Sequence, residues 1–414
     1  MKVGDIAHPE RIRFGKPLEG VRILALEQAH AMPFATQLMA RLGADVVRIE
    51  PPDTGEQARN TYPAARDPEG RLLGSTFLRN NLNKRSITID IKNPEGRDLV
   101  LRLAGKFDVF AENFRGGALQ RAGLGYEAMA ALHPRIIYAS ISGFGTDGRS
   151  PYHGRAAFAP IVEAISAFYD FKRTKDERPQ VGSAGALGDT ASGLYAVIGI
   201  LSALRHRDRI GTGQHVDIAM YDVMVSMVDV MMSYASMGKK STHVPTSLTA
   251  AFKARDGFFI LMCNTRQHFV SLAQAVGCPQ WLTDPRLETS ADWGAQIDAL
   301  IRPEVERWAS AHSHREAAEI LGRAGIAVAP CQSIQEVMQD PHVIARNMVV
   351  ELERPDGVPQ PACTPGNPVK MSRVAEGPER RVPWVGEHTG ELLARELALD
   401  TAQIERLRDF QVIG

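Results

Sequence analysis

The sequence predicts an α/β fold, a Rossmann-like doubly wound large domain with a smaller α+β domain inserted into it. Three observations predict it. Strand-length apolar runs alternate with helix-length amphipathic stretches from residue 21 to about 219. The polar stretch "GKKSTHVPTS" then opens a region of different character. A second loop-like stretch, "PDGVPQPACTPGNP" (355–368), returns the chain to apolar helices at its end. The expected boundaries are 1–225 for the first part of the large domain, 226–245 for a linker, 246–348 for the small domain, 349–370 for a second linker and 371–414 for helices that complete the large domain.

The elements follow in order. "VRILALE" (21–27) reads as a buried strand. In "MPFATQLMARLG" (32–43), Phe34, Leu38 and Leu42 recur at helical spacing and Gly43 suits the stop. "ADVVRIEPP" (44–52) is a strand ended by prolines, so the first pair is parallel with a right-handed crossover. "RSITIDI" (85–91) is a strand, followed by a helix over 93–107 with Asn93 as cap and Pro94 at its first position. "DVFAENF" (108–114) and "IIYASISGF" (136–144) are strands flanking the helix "YEAMAALHP". A helix over about 189–207 follows, then a strand and one Met-rich helix in "GQHVDIAMYDVMVSMVDVMMSYASM". "AFKARDGFFILMC" reads as a hairpin with Asp256-Gly257 at its turn. In the tail, Asp400 and Gln403 have capping-box spacing.

Composition narrows the function. Lys+Arg and Asp+Glu number 48 each, so the chain has no net basic field for nucleic acid or an anionic membrane. The four cysteines, Cys263, Cys278, Cys331 and Cys363, form no CxxC pair, which argues against zinc and disulfides and fits the reducing cytoplasm. "MKVGDIAHPERIRF" has no apolar core of the secretory kind, and the apolar run after residue 189 is shorter than the ~20 residues a bilayer requires. The turn after the first strand, "EQAHAMPFA", carries no glycine, so a dinucleotide fingerprint is missing. Phosphate-loop, nucleophile-elbow and HExxH patterns are missing too, and "HSH" (312–314) has no partners at metal-ligand spacing.

"GALGDTASGLYAVIGILSAL" (185–204) sets a single acid, Asp189, between glycines and a long apolar run. Two readings fit. At or beside the N-cap its carboxylate accepts a bond from orphan backbone N–H groups, which is worth about 1 kcal/mol and calls for no chemistry. The same positive helix end keeps the group ionised, and Gly182, Gly185, Gly188 and Gly193 leave space around it. An open carboxylate can attack a thioester carbonyl, with backbone N–H groups of the glycine-rich approach holding the oxyanion.

Nearly the whole chain resembles the class III CoA-transferases, a family that includes formyl-CoA transferase and carnitine CoA-transferase. The resemblance rests jointly on "PLEGVRILALEQAHAMPFATQLMARLGADVVRIEPP" (17–52), "NLNKRSITIDIKNPEGRDLVLRLAGKFDVFAENFRGGALQRAGLGYEAM" (81–129), "GALGDTASGLYAVIGILSAL", "GTGQHVDIAMYDVM" (211–224), "PGNPVKMS" (365–372) and "VGEHTGELL" (385–393). It implies that Asp189 is the nucleophile, passing through acyl anhydrides and an aspartyl-CoA thioester. It implies coenzyme A and acyl-CoA as substrates, succinyl-CoA or another short-chain acyl-CoA among them, with a carboxylic acid acceptor. No tightly bound cofactor or metal is implied. Gln28, His30 and Ala31 match the stretch that lines the reacting end of CoA, and Asn113 and Arg121 match family CoA contacts. Lys84 and Arg85 would add positive charge near the nucleotide, or else serve as sheet-edge charges. Two interlocked subunits forming a homodimer are implied as well.

The chain departs from the family pattern at Pro51, where some relatives carry a basic residue, and it shows no Gly-rich lid between 230 and 260. Two other functions compete. A 2-methylacyl-CoA racemase has the same fold and calls for an acid/base pair where Phe158 and Ala159 stand, neither of which transfers a proton. A non-catalytic CoA-binding protein would keep Asn113 and Arg121 and have no use for Asp189.

Overall fold

In the computed structural model the described residues are 1–170, 178–179, 181, 185–238 and 247–414. Gly182 and the last seven residues of the expected linker 226–245 (239–245) lie outside them. The chain divides into two compact units, Met1–Ser236 with Ala345–Gly414, and Met237–Ile344.

The larger unit is built on six strands: β1 (Arg22–Leu26), β2 (Asp45–Glu50), β3 (Arg85–Thr88), β4 (Val109–Glu112), β5 (Ile137–Ser142) and β6 (His215–Ala219). Every neighbouring pair is parallel, in the order β3-β2-β1-β4-β5-β6. The order reverses between β1 and β4. Chains leaving the carboxyl ends of those two strands go to opposite sides of the sheet and open a crevice there.

Apolar residues cover both faces. On one face lie α1 (Ala31–Arg41), α4 (Ala159–Ile165) and α5 (Leu187–Ile210), packed through Met32, Met39, Val162, Ala196 and Ile200. On the other lie α3 (Pro94–Ala104) and the terminal helices α6 (Thr389–Leu397) and α7 (Thr401–Asp409), packed through Leu99, Leu103, Leu392, Leu393, Ile404 and Leu407. The short α2 (Ser75–Asn80) precedes β3. The Asn93 side chain caps α3 through Glu95 N–H, and Asp400 with Gln403 forms the capping box of α7.

The closest helix crossing sets the site. A Cβ on Gly193 would lie 2.8 Å from the Ala31 carbonyl oxygen and 2.7 Å from the Phe34 ring, so α5 runs directly against the start of α1. A Cβ on Gly188 would lie 3.0 Å from Val162, so α4 presses on the same turn. These two glycines therefore serve helix packing, where the sequence had suggested free space around Asp189.

Three further expectations change. The Met-rich stretch is two helices, Met220–Ser226 and Met231–Ser236, with Asp229 between them at positive φ. The expected linker 226–245 thus begins with helix, and the expected linker 349–370 contains an antiparallel hairpin, Val349–Leu352 with Ala362–Pro365. The apolar helix after Asp189 is longer than the sequence suggested. By length and composition α5 could cross a membrane; one side of it packs on α1 and β5, while Leu194, Tyr195 and Ile198 are exposed.

The smaller unit holds a three-stranded antiparallel sheet, with Leu248–Lys253 and Phe258–Cys263 joined by the turn at Asp256-Gly257 and Ala327–Pro330 alongside. Phe252, Phe259, Phe269, Trp281 and Trp293 form its core, with Phe269 and Trp293 stacked at 4.4 Å. Cys263 and Cys278 are buried in this unit, Cys331 and Cys363 are exposed, and all four are free thiols.

Candidate active site

The loop leaving β1 is held by two side chains. Asn113, just past β4, donates from Nδ2 to the Gln28 carbonyl (2.8 Å) and accepts the Gln28 N–H at Oδ1 (2.9 Å). The Ala29 N–H donates to Glu56 Oε1 at 2.7 Å, which holds Ala29 at a φ of 57°. Glu112, buried at the end of β4, accepts the Phe114 N–H, and burial pushes its carboxyl up to about 8. The crevice at the strand-order reversal is therefore clasped by an amide.

His30 closes the loop and opens α1. Its Nδ1 lies 3.2 Å from Asn80 Nδ2, and its Nε2 lies 3.2 Å from the Thr190 hydroxyl. Asn80 Oδ1 accepts from Arg79 at 2.8 Å, so the Asn80 amide group donates to His30 Nδ1. His30 Nε2 faces both the Thr190 hydroxyl and, at 3.5 Å, the Arg79 Nη1. Burial, and secondarily the Arg79 charge, lower its pKa to about 4, so the ring is neutral at pH 7. The ring also stacks on Phe34 at 6.1 Å, and Arg79 lies over the same Phe34 at 4.9 Å.

His30, Ser75, Thr76, Arg79, Gly185, Ala186 and Thr190 line an open cavity of about 470 Å³. It flanks the first turn of α5. Asp189 is next in sequence to Thr190 and half-buried.

Asp189 is not the cap of α5. The helix starts at Leu187 after Ala186, with Gly185 at a φ of 78°, which puts Asp189 in the third helical position. The cap is supplied from α4, where Glu163 Oε1 accepts the Gly188 N–H at 2.9 Å and Oε2 accepts the Tyr169 hydroxyl. Burial first, and the Glu163 charge second, raise the Asp189 carboxyl to about 6. The helix end would have lowered it, but desolvation and a neighbouring carboxylate outweigh that effect. The group is still about tenfold more ionised than protonated at pH 7. Glu163→Gln keeps the bond to Gly188 and removes the charge. It is expected to lower the Asp189 titration midpoint by roughly one pH unit, read by ¹³C NMR of labelled aspartate.

Other expected contacts are placed differently. The Lys84 ammonium is fully buried and spent on Glu27 Oε1 (2.6 Å) and the Pro33 carbonyl (2.9 Å). It offers a nucleotide nothing. Arg85 lies on the edge strand β3 and makes a two-pronged pair with Asp45 at 2.7 and 2.9 Å, which is the sheet-edge role. The Asn113 side chain is engaged by Gln28 and acts as a clasp. Ala31 is buried at the first position of α1, and Gln28 is half-buried. Arg121 is exposed and reaches back over Gly117, where a Cβ would lie 2.8 Å from Nη1 and 3.5 Å from His153 Nε2. Phe158 is 68% exposed, and Ala159 is buried beneath Gly188. His314 of "HSH" bonds Asp256 at 2.9 Å.

Sequence reasoning missed Arg79 and Glu163. Both had a weak signal: Arg79 stands in "STFLRNNL" with no acid within four residues, and Glu163 is a lone acid in the apolar helix "APIVEAI".

Comparison with known proteins agrees across the chain. Residues 18–389 match the family described as CoA-transferase family III. A succinate–glutarate CoA-transferase of Agrobacterium fabrum is 33% identical over 389 residues, covering 91% of this chain and 95% of that protein. A succinyl-CoA:mesaconate CoA-transferase of Haloarcula hispanica is 32% identical over 387 residues, again covering 91% and 95%. The crystal structure of a CAIB/BAIF family protein from Brucella suis superposes with a TM-score of 0.81 at 32% identity, covering 92% of this chain and 99% of that one. With its six-stranded parallel sheet and a family match over residues 18–389, the chain belongs to CoA-transferase family III.

Proposed function

We propose that Asp189 is the covalent nucleophile with which this CoA-transferase moves CoA from an acyl-CoA to a carboxylic acid. A carboxylate oxygen of Asp189 attacks the thioester carbonyl; the C–S bond breaks and CoA leaves as thiolate, giving a mixed anhydride. The thiolate attacks the aspartyl carbonyl, releasing the donor acid and leaving an aspartyl-CoA thioester. The acceptor carboxylate then displaces the thiolate to form a second anhydride. Attack of the thiolate on the acceptor acyl carbon gives the new acyl-CoA and restores the carboxylate. No proton is gained or lost over the cycle. A carboxyl at about 6 suits the sequence, being mostly ionised at pH 7 yet more basic than an exposed aspartate.

The observation that carries this reading is the half-buried Asp189 carboxylate in the first turn of α5, next in sequence to Thr190 of a cavity shared with His30 and Arg79, in a family III chain. The relatives named above suggest succinyl-CoA, or another short-chain acyl-CoA, as the donor. The reacting end of CoA is read onto Gln28, His30 and Ala31, and a CoA phosphate onto Arg121 beside His153. The Gly188 N–H is taken by Glu163, so oxyanion donors are sought among residues 185–187. The exposed apolar side chains Leu194, Tyr195 and Ile198 on α5 support a homodimer in which a second copy covers them, and the interlocked form is part of the proposal. So is a cytoplasmic location.

The test is trapping. Hydroxylamine added during turnover of an acyl-CoA is expected to convert Asp189 alone to its hydroxamate, a change peptide mass spectrometry detects. Turnover with no label at Asp189 overturns the mechanism. Proton exchange at the acyl α-carbon without an acceptor acid would favour the racemase instead, although Phe158 and Ala159 leave it no acid/base pair.

A further inference from the structure

Among the described residues Arg79 is a desolvated cation with no carboxylate partner. It lines the 470 Å³ cavity and is half-buried. Its Nη1 donates to the neutral Asn80 Oδ1, and its guanidinium rests on the Phe34 ring. No ion pair joins it to a carboxylate among the described residues. Every other buried guanidinium nearby has one: Arg41 with Glu379, Arg48 with Glu50 and Glu56, and Arg59 with Glu50. Burial and the Arg41 charge hold Arg79 below the usual guanidinium range.

The surroundings are arranged for an anion. Ser75 and Thr76 line the same cavity, with the Ser75 hydroxyl donating to the Tyr62 carbonyl at 3.3 Å. His30 is 3.5 Å from Arg79 and 3.2 Å from Thr190, and Thr190 follows Asp189 in the chain. The Arg79 Nη1 and the Thr190 hydroxyl therefore meet at one imidazole nitrogen, His30 Nε2, which sets the guanidinium close to the turn that carries Asp189. The carboxyl carbons of a short diacid lie ~4–5 Å apart when extended, a reach suited to neighbouring groups of this kind.

We propose that Arg79 binds the second carboxylate of a dicarboxylic substrate while the first carboxyl, or its thioester, reacts at Asp189. This rests on the transferase reading above. It names the substrate class, C4–C5 dicarboxylic acids and their mono-CoA thioesters. Arg79 is a specificity residue, since a planar guanidinium meets a carboxylate with two parallel hydrogen bonds. A monocarboxylic acid leaves that cation without a partner, and buried polar sites reject ligands that cannot satisfy them.

The experiment compares succinate with butyrate as acceptors, and succinyl-CoA with butyryl-CoA as donors, in wild type, Arg79→Met and Arg79→Lys. Wild type is expected to prefer the diacid by at least ~10²-fold in kcat/KM. Arg79→Met is expected to erase most of that preference, with the larger loss in KM for succinate. Arg79→Lys is expected to lie between, because it keeps charge and loses the planar fork. Thermal unfolding of each variant identifies a folding defect, and Arg79→Lys, the milder change, then carries the comparison. An unchanged succinate/butyrate ratio in the variants, or no preference in wild type, overturns the inference and leaves the transferase intact. Failure of every acyl-CoA to exchange with any acid would instead sink the reading on which it rests.

Discussion

Asp189→Asn is expected to lower CoA transfer by roughly 10³-fold or more while CoA affinity changes only a few-fold. The amide keeps size and shape and removes the attacking anion. The same substitution is expected to stabilise the fold. A carboxyl held at about 6 in the folded chain, against an ordinary value near 3.8, destabilises above that ordinary value. Its cost is absent below pH ~4, grows between pH 4 and 6, and is complete above 6. Asparagine has no such cost, so the gain at pH 7 is about 3 kcal/mol, read by denaturant unfolding at pH 4 and 7. In the wild type, kcat/KM should fall tenfold per unit below pH ~6 as the nucleophile protonates. Near-normal transfer by Asp189→Asn would refute the covalent role.

Lys84→Met is expected to be the most damaging single change away from the cavity, at about 3–5 kcal/mol. Lys84 is fully buried with its ammonium 2.6 Å from Glu27, and Thr36 donates to the other Glu27 oxygen at 2.7 Å. Removing the cation leaves Glu27 charged in a dry interior or forces it to take up a proton. The folded variant then holds Glu27 at a raised pKa, so its deficit should deepen as pH climbs from 5 to 8. Adding Glu27→Leu should recover much of the loss, because an apolar pair has no charge to strand. Chemical denaturation of the three variants across that pH range checks both statements. Equal stability of Lys84→Met and wild type at pH 8 would contradict the burial argument.

Lys84 also shows where a linear reading stops. "NKRS" presents two adjacent cations, and nothing local reveals that one meets Glu27, 57 positions upstream, and the other Asp45. The strands were legible because "RILAL" and "VFAE" are apolar runs buried on both faces, as parallel sheets require. The start of α5 was misplaced by two residues because Asp189 is a good capping residue type, while the true capping group comes from another helix. Glycines beside a reactive group suggested room, yet Gly188 and Gly193 are small so that α4 and α1 can approach. Arg79 escaped notice because its meaning lies in a missing partner, and only three-dimensional neighbours reveal that.

The reciprocal bonding of Asn113 with the Gln28 backbone has one more consequence. It ties the exits of two adjacent strands, whose spacing in any sheet is about 4.8 Å. The mouth of the crevice thus has a gauge fixed by the sheet itself and cannot widen for a bulkier guest. On the proposed mechanism, acids of different girth would be sorted by the side chains that border the far rim, while the spacing at the mouth stays constant.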